Sequence, residues 1–239
     1  WVDGIYFNVQ GSEDRICTRV MIGVNENGET ELIMVEEGYR ESSEIWATLL
    51  RQMKENGLKS PKLFIGDGSL GFWKAVKEVY PEAKSQRCWV HKIRNILDKM
   101  PNVLHGKAKS MLHEIYNAPD EASARKAADA FKKTFEAKYY QAVECLMKDL
   151  CLVLTFYQFP AEHWVHIRST NAIESTFSTV RLRTKKMRGC GNRETILVMV
   201  YKLLEKASKR WRKLRGHEKV KMVLEGVCFV NGLEVDQAA

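Results

Sequence analysis

Residues 61–68 read PKLFIGDG, a short apolar run that ends in an acidic residue between two glycines. A run of this length, bounded by Pro and Gly, is typical of a strand buried on both faces of a sheet. Ligands of α/β proteins gather at the carboxyl ends of such strands. Gly66 and Gly68 let the backbone turn tightly and let a ligand approach closely. The run therefore predicts a central strand that carries Asp67 to a functional edge; a plain Gly-Asp turn is the alternative.

Alternation and helical periodicity on both sides of this strand predict a mixed α/β domain. The predicted elements are strands over Ile5–Val9, Ile16–Val24 and Glu31–Val35, a helix over Glu41–Asn56, the strand at 61–65, a helix that Ser69 can cap, a strand over Ala83–Arg87 and a helix over Cys88–Met100. The first three strands form an antiparallel meander, and the later crossovers add parallel strands. This is the strand order of the RNase H-like fold, with a mixed five-stranded sheet.

The pattern changes after Pro101. Apolar residues then recur at helical spacing, with no strand candidate, until about His166. We interpret residues 101–166 as a helical insertion in the α/β domain; a separate helical domain is the alternative. Residues 1–100 would form the first part of the core, and residues 167–239 its C-terminal helices and basic tail. The helices expected there cover Asn171–Arg183 and Thr195–Arg212, separated by a basic loop.

The charge of the chain is unevenly placed. The net charge is +8, yet residues 1–60 hold 11 acidic and 6 basic residues, whereas residues 181–221 hold 15 Lys or Arg and 3 acidic residues. A basic segment beside an acidic one suits a polyanion held near a cation site. A solvated basic helix is the alternative.

The spacing of the cysteines and the hydropathy of the chain indicate the cellular compartment. The six cysteines are scattered without short paired spacing, and no secretion signal or membrane-length apolar run is visible. We therefore expect reduced thiols, a cytoplasmic location and no membrane. The chain begins with Trp1 inside a predicted strand, so we expect a fragment of a longer protein.

Three acidic residues are candidates for metal ligands: Asp3 at the start of the first strand, Asp67, and Glu174 in the first turn of a helix. Converging carboxylates repel one another unless cations neutralise them. Oxygen ligands select hard ions such as Mg²⁺ or Mn²⁺. Two such ions can activate water and stabilise the leaving oxygen in phosphodiester cleavage. Alternatively, Asp3 is a surface strand residue and Glu174 only complements its helix dipole.

Three long runs carry a resemblance to a known family. They are IGDGSLGFWKAV at 65–76, YPEAKSQRCWVHKIRNIL at 80–97 and FPAEHWVHIRSTNAIESTFSTVRLRTKKMRG at 159–189. With VDGIYFNV at 2–9, they resemble the Mutator-type transposases of bacterial insertion sequences, from Trp1 to about Gly232. That family is similar in fold to RNase H, with a helical insertion before its last acidic residue. One departure is Ser-Thr-Asn-Ala at 169–172, where Thr-Thr-Asn-Pro is expected.

The resemblance implies a DDE transposase whose catalytic, metal-binding triad is Asp3, Asp67 and Glu174. It implies two Mg²⁺ or Mn²⁺ ions per active site, cleavage at transposon ends and strand transfer into target DNA. It also implies a homo-oligomer on DNA in the bacterial cytoplasm, at the nucleoid. A nuclease of the same fold without strand transfer and a non-catalytic DNA-binding remnant are the alternatives.

Further residues are expected beside the triad or the DNA. Cys88 and His91 form the family's Cys-x-x-His element. They pack behind the active site, bind DNA or a carboxylate, or form half of a zinc site. No second half with similar spacing is present, and His163 and His166 are possible partners. Asn171 flanks Glu174, and Trp164 either stacks on an unpaired base or packs in the core. Six basic residues are expected to contact DNA phosphates: Arg168, Arg181, Arg183, Lys185, Lys186 and Arg188.

Overall fold

We describe the protein from a computed structural model, which covers residues 1–8, 15–38, 42–68, 70–186 and 193–235. The strands are β1 (Val2–Asn8), β2 (Arg15–Val24), β3 (Thr30–Gly38), β4 (Leu63–Gly66), β5 (Lys84–Arg87), β6 (Phe229–Val230) and β7 (Leu233–Glu234). The α-helices are α1 (Ser43–Glu55), α2 (Leu70–Val79), α3 (Trp89–Leu97), α4 (Asn102–Tyr116), α5 (Glu121–Phe135), α6 (Tyr140–Lys148), α7 (Leu150–Val153), α8 (Trp164–Ile167), α9 (Asn171–Lys186), α10 (Arg193–Ser208) and α11 (Val220–Glu225).

The mixed α/β class is confirmed, but the sheet differs from the prediction. Strands β1, β2 and β3 form an antiparallel meander, β4 and β5 form a separate parallel pair, and β6 pairs with β7. Strands β1 and β4 lie side by side, since a Cβ added at Gly66 would stand 3.4 Å from the Val2 carbonyl oxygen. No ladder joins them among the described residues, so a continuous five-stranded sheet is not formed. Because β4 spans only four residues, it offers β1 few backbone groups to pair with.

Helices cover both faces of the meander because the side chains of β2 alternate between two apolar clusters. Met21 packs with α1 and α2, whereas its neighbours Val20 and Ile22 pack with α9 and α10. The predicted stripe of Ile173, Phe177 and Val180 on α9 is buried in the second of these clusters. This layering holds α9 against β1, and so brings the predicted triad helix beside the first strand.

The helices from α4 to α8, with two short 3₁₀ turns, occupy the segment expected to be an all-helical insertion. They share one apolar cluster with α3, which contributes Trp89 and Ile96. The Trp89 indole donates to the Val153 carbonyl at 2.8 Å, and the buried Gln86 amide donates to the same oxygen at 2.9 Å. The helical segment is therefore anchored directly to β5 and α3, the elements that follow Asp67.

The C-terminal hairpin was not predicted. Asn231 and Gly232, with φ of 49° and 80°, form the two-residue turn between β6 and β7 that Asn-Gly pairs favour. Asn231 caps α5 by accepting from the Glu121 amide at 2.9 Å, and Gly232 exchanges backbone hydrogen bonds with the Tyr157 and Ala161 region. The hairpin thus packs on the helical segment rather than on the α/β core. No described helix is long and apolar enough to cross a membrane.

Candidate active site

The three predicted acidic residues line one cavity of about 260 Å³. Asp3 lies on β1, Asp67 follows β4 directly, and Glu174 lies in the first turn of α9. All three side chains are half-buried. They meet because β1 is adjacent to β4 and α9 packs on β1. The spatial convergence that the sequence predicted is therefore present, while the catalytic and metal-binding roles stay predictions.

Side chains of neighbouring elements hold the Gly-Asp-Gly turn in place. A Cβ added at Gly68 would stand 2.3 Å from Nη2 of Arg87, so a larger residue here would displace the end of the Arg87 side chain. The indole of Trp73, on α2, donates to the Asp67 carbonyl at 2.7 Å. The turn after β4 is thus fixed by its neighbours on β5 and α2. These contacts fix the backbone from which the Asp67 side chain extends.

The electrostatics of the cavity disfavour an ionised Asp3. Burial, together with the Asp67 and Glu174 carboxylates, raises the pKa of Asp3 to about 6, although His91 and the Gly4 amide oppose the shift. That amide donates to Asp3 Oδ1 at 2.8 Å. Burial is the largest cause of this rise above the ordinary pKa of 3.8, and the two like charges add to it. A cation bound to the carboxylate would favour its ionised form.

His91 places an imidazole beside the carboxylates of the cavity. Its Nε2 lies 3.9 Å from Glu174 Oε1. The adjacent Cys88 thiol, followed by the Asp3 and Asp67 carboxylates, raises the pKa of His91 to about 9 against the effect of burial. His91 is therefore protonated at neutral pH in the metal-free protein and partly offsets the negative charge of the cavity.

Cys88 and Glu174 are joined through Thr170. The Thr170 amide donates to Cys88 Sγ at 3.3 Å, the Thr170 hydroxyl lies 3.3 Å from the same sulfur, and it donates to Glu174 Oε1 at 3.1 Å. Hydrogen bonds from His91 and Thr170 lower the pKa of the Cys88 thiol, although its burial, the largest single influence, acts in the opposite direction. The predicted Cys-x-x-His element thus lies directly behind Glu174.

Two arginines that the sequence analysis missed line the same cavity. Arg94 follows His91 by one helical turn on α3, and that i, i+3 spacing was a readable signal for a shared face. Arg19 on β2 is only 2% exposed and stacks on the Trp46 ring at 4.8 Å. It occupies the β2 face that also carries the buried Met21, so a charged residue at an apolar position was the signal there.

The predicted DNA-proximal residues divide into three groups. Arg181 lines the cavity, and Arg183 and Asn171 are exposed on α9. Trp164 and Arg168 point into the helical segment. The side chains of Lys185 and Lys186, and all of Arg188, lie outside the described residues.

Trp164 and Arg168 are internal in this structure. Trp164 is buried against Phe156 and Tyr157, and its indole donates to the Phe159 carbonyl. The Arg168 guanidinium stands 4.7 to 5.3 Å from three ring centroids, Trp164 among them, and donates to the Tyr116 carbonyl at 2.8 Å. The structure therefore favours core packing for Trp164 and shows the Arg168 guanidinium engaged with the helical segment, while the phosphate-binding role of Arg168 stays a prediction.

The fold and the cavity define an α/β protein with a carboxylate cluster at a strand edge and a helical segment before its last acidic residue. A family model described as "Transposase, Mutator family" matches residues 1–214. The chain therefore belongs to the Mutator family of transposases.

Transposases of several insertion sequences are similar to this chain. It is 49% identical over 232 residues to the transposase for insertion sequence element IS6120 of Mycolicibacterium smegmatis, covering 97% of this chain and 72% of the relative. It is 48% identical over 224 residues to the IST2 transposase of Acidithiobacillus ferrooxidans, with 93% and 76% covered. The ISRM5 transposase of Rhizobium meliloti (strain 1021) is 30% identical over 84% of this chain and 53% of its own length.

Proposed function

We propose that this chain is the catalytic core of an insertion-sequence transposase that cuts DNA at transposon ends and joins the freed 3′-hydroxyl to target DNA. The observation that carries the proposal is the meeting of Asp3, Asp67 and Glu174 in one cavity of a chain that belongs to a transposase family. We further propose that it works as a homo-oligomer on DNA in the bacterial cytoplasm.

The donor set fits a pair of hard divalent cations. Three carboxylates supply only oxygen ligands, which Mg²⁺ and Mn²⁺ prefer. Burial is the main cause of the raised pKa of Asp3, and a cation bound to its carboxylate would favour the ionised form. In this proposal Asp3 and Asp67 would hold the ions and Glu174 would complete the site. Bound ions would lower the pKa of an attacking water and stabilise the leaving oxygen.

Residues around the triad orient Glu174 and contact the DNA phosphates in this proposal. The Thr170 hydroxyl orients Glu174 by donating to Oε1. Arg94 and Arg181 face the cavity from α3 and α9, and guanidinium groups suit phosphate oxygens because they donate in a planar fork. A DNA strand that runs between these helices would thus meet cations on both sides of the scissile phosphate. These contacts give affinity and salt dependence rather than sequence choice.

The proposal is tested with linear DNA that carries the ends of the chain's own element. We expect cleavage in Mg²⁺ or Mn²⁺, no cleavage in EDTA, and joining of a pre-cleaved end to target DNA. Glu174→Gln should abolish both steps, whereas Glu205→Gln, an exposed carboxylate on α10 paired with Lys202, should leave them unchanged. Cutting without joining would favour the nuclease alternative. Glu174→Gln protein that cuts like the parent would contradict the catalytic assignment.

A further inference from the structure

A second, chemically different set of metal-ligating atoms overlaps the carboxylate cavity. One ligand atom each from Cys88, His91 and Glu174 lies within 4.8 Å of the other two. The set is a thiol, an imidazole and a carboxylate, whereas the triad offers oxygens only. The sequence supplies Cys88 and His91 as half of a site, and the fold adds Glu174, 83 positions beyond His91 (174 − 91), as a third ligand.

Two elements hold these groups together. Cys88 immediately precedes α3 and His91 lies in its first turn, so their spacing of three puts both on one face. Glu174 comes from the first turn of α9, opposite. Ligand atoms around tetrahedral Zn²⁺, at about 2.0 to 2.3 Å from the ion, lie about 3.5 Å from one another. Small side-chain rotations would therefore bring the three atoms to that separation.

The surroundings of the cluster suit ligands rather than ordinary core residues. The Nδ1 atom of His91 is buried, and the imidazole lies beside the Cys88 thiol, which raises its pKa. Thr170 contacts both other members, with its amide donating to Cys88 Sγ and its hydroxyl donating to Glu174 Oε1. Such hydrogen bonds behind metal ligands fix their orientation, and they raise metal affinity when they are present.

We propose that Cys88, His91 and Glu174 form a binding site for a borderline-soft divalent cation, Zn²⁺ in the first instance, with water as the fourth ligand. Thiolate and imidazole ligands select Zn²⁺ over Mg²⁺. The Cys88 thiol and the His91 imidazolium each release a proton to solvent on binding, and no oxidation or reduction is involved. Because Glu174 is shared, Zn²⁺ at this site withdraws it from the triad. This consequence rests on the proposed function: Zn²⁺ inhibits the Mg²⁺-dependent reaction by occupying Glu174.

Binding is tested directly with Co²⁺, which reports thiolate ligation by a charge-transfer absorption band, and with Zn²⁺ as the competitor. We expect one Co²⁺ per chain with that band, displaced by Zn²⁺. Cys88→Ser should abolish the band and weaken Zn²⁺ binding about a hundredfold or more, because removing a ligand costs at least as much as removing its supporting hydrogen bond. Cys228→Ser, at an exposed thiol, should change neither.

His91→Gln gives a second route that does not depend on how Cys88→Ser folds, since His91 is only partly buried. It should keep a weaker site, with Zn²⁺ affinity reduced by at least tenfold. A Zn²⁺ affinity that is equal in the parent, Cys88→Ser and His91→Gln proteins would overturn the proposal. So would Co²⁺ binding by the parent without a thiolate band.

Asp67→Asn separates this site from the triad. Asp67 is not one of the three zinc ligands, so this protein should bind Zn²⁺ like the parent even though it has lost the hard-ion site. In DNA cleavage with Mg²⁺ in excess, one equivalent of Zn²⁺ should inhibit the parent, and Cys88→Ser should resist inhibition. A parent that binds Zn²⁺ but never cuts DNA would refute the proposed function alone, whereas one that cuts DNA but binds no Zn²⁺ would refute this site alone.

Discussion

Two clusters of charged side chains lie near β5 and α3, one around the single carboxylate of Asp149 and one around the three carboxylates of the cavity. At the junction with the helical segment, Asp149 lies 2.5 Å from Lys92 Nζ and 3.2 Å from Arg87 Nη1. In the cavity, three carboxylates share the space with Arg19, Arg94, Arg181 and His91, whose Nε2 is 3.9 Å from Glu174, and the pKa of Asp3 is raised mainly by burial. The first cluster pairs its carboxylate directly with two cations and holds structure together. The second keeps Asp3 above its ordinary pKa, and a bound cation would favour the ionised carboxylate.

The largest expected effect is a loss of DNA cleavage without a loss of folding stability. Asp67→Asn removes one negative charge from the cavity, so we expect DNA cleavage to fall by about a thousandfold, as the loss of several kcal/mol of metal-derived stabilisation implies. The free energy of unfolding should stay the same or rise, because repulsion is relieved. Cleavage rates and urea denaturation of the metal-free protein measure the two quantities. A large loss of stability would show that Asp67 is a structural residue.

The opposite behaviour is expected at the junction. Asp149→Asn leaves two buried cations without their counter-charge, which should cost about 3 kcal/mol in the free energy of unfolding. Cleavage well below the melting temperature should persist. Asp129→Asn, at an exposed position on α5, is the control and should change stability by less than about 0.5 kcal/mol. Equal stability of the Asp149→Asn and Asp129→Asn proteins would contradict the structural role of Asp149.

Asp3 should make the metal-free protein less stable as the pH rises. The unfolded carboxyl loses its proton near 3.8 and the folded one near 6, so the native state binds the proton more tightly. The contribution of Asp3 to stability is therefore greatest below about pH 4, falls between pH 4 and 6, and above pH 6 is about 3 kcal/mol lower. Urea denaturation of the parent and of a variant without the Asp3 carboxyl should isolate this component.

Asp3→Asn is the matched test of that pH dependence. The amide has a similar shape and does not titrate, so the component between pH 4 and 6 should disappear, and the variant should exceed the parent in stability at pH 7. Saturating Mn²⁺ should stabilise the parent at pH 7 and much less at pH 5, since protons compete with the ion. An unchanged pH profile in Asp3→Asn would place the titration on another group.

The smallest expected effect concerns the orientation of the Glu174 carboxylate. Thr170→Val keeps the shape of the side chain but removes the hydroxyl that donates to Glu174, so we expect cleavage and Mn²⁺ affinity to fall about tenfold. Thr134→Val, which removes an exposed hydroxyl bonded to the Ala130 carbonyl on α5, should have no effect on either. Equal activity of both variants would mean that Glu174 does not depend on Thr170.

Periodicity and local motifs predicted most elements of the fold, because both are local signals; the stripe on α9 and the Gly-Asp-Gly turn are examples. The meeting of the three acids was implied by the family resemblance. What the sequence missed depends on long-range placement. The separate ladders reflect how β1 and β4 lie together, and the cage around Arg168 is built from rings distant in sequence. The proximity of Glu174 to the Cys88–His91 pair likewise arises only when α9 packs beside α3.

The central claim is that Asp3, Asp67 and Glu174 together bind divalent cations. Anomalous diffraction from crystals soaked in Mn²⁺ tests it most directly. The account predicts a Mn²⁺ peak at about 2.1 Å from carboxylate oxygens of Asp3 and Asp67, with Glu174 completing the coordination. Mn²⁺ bound elsewhere on the chain, with these three carboxylates free of metal, would contradict it.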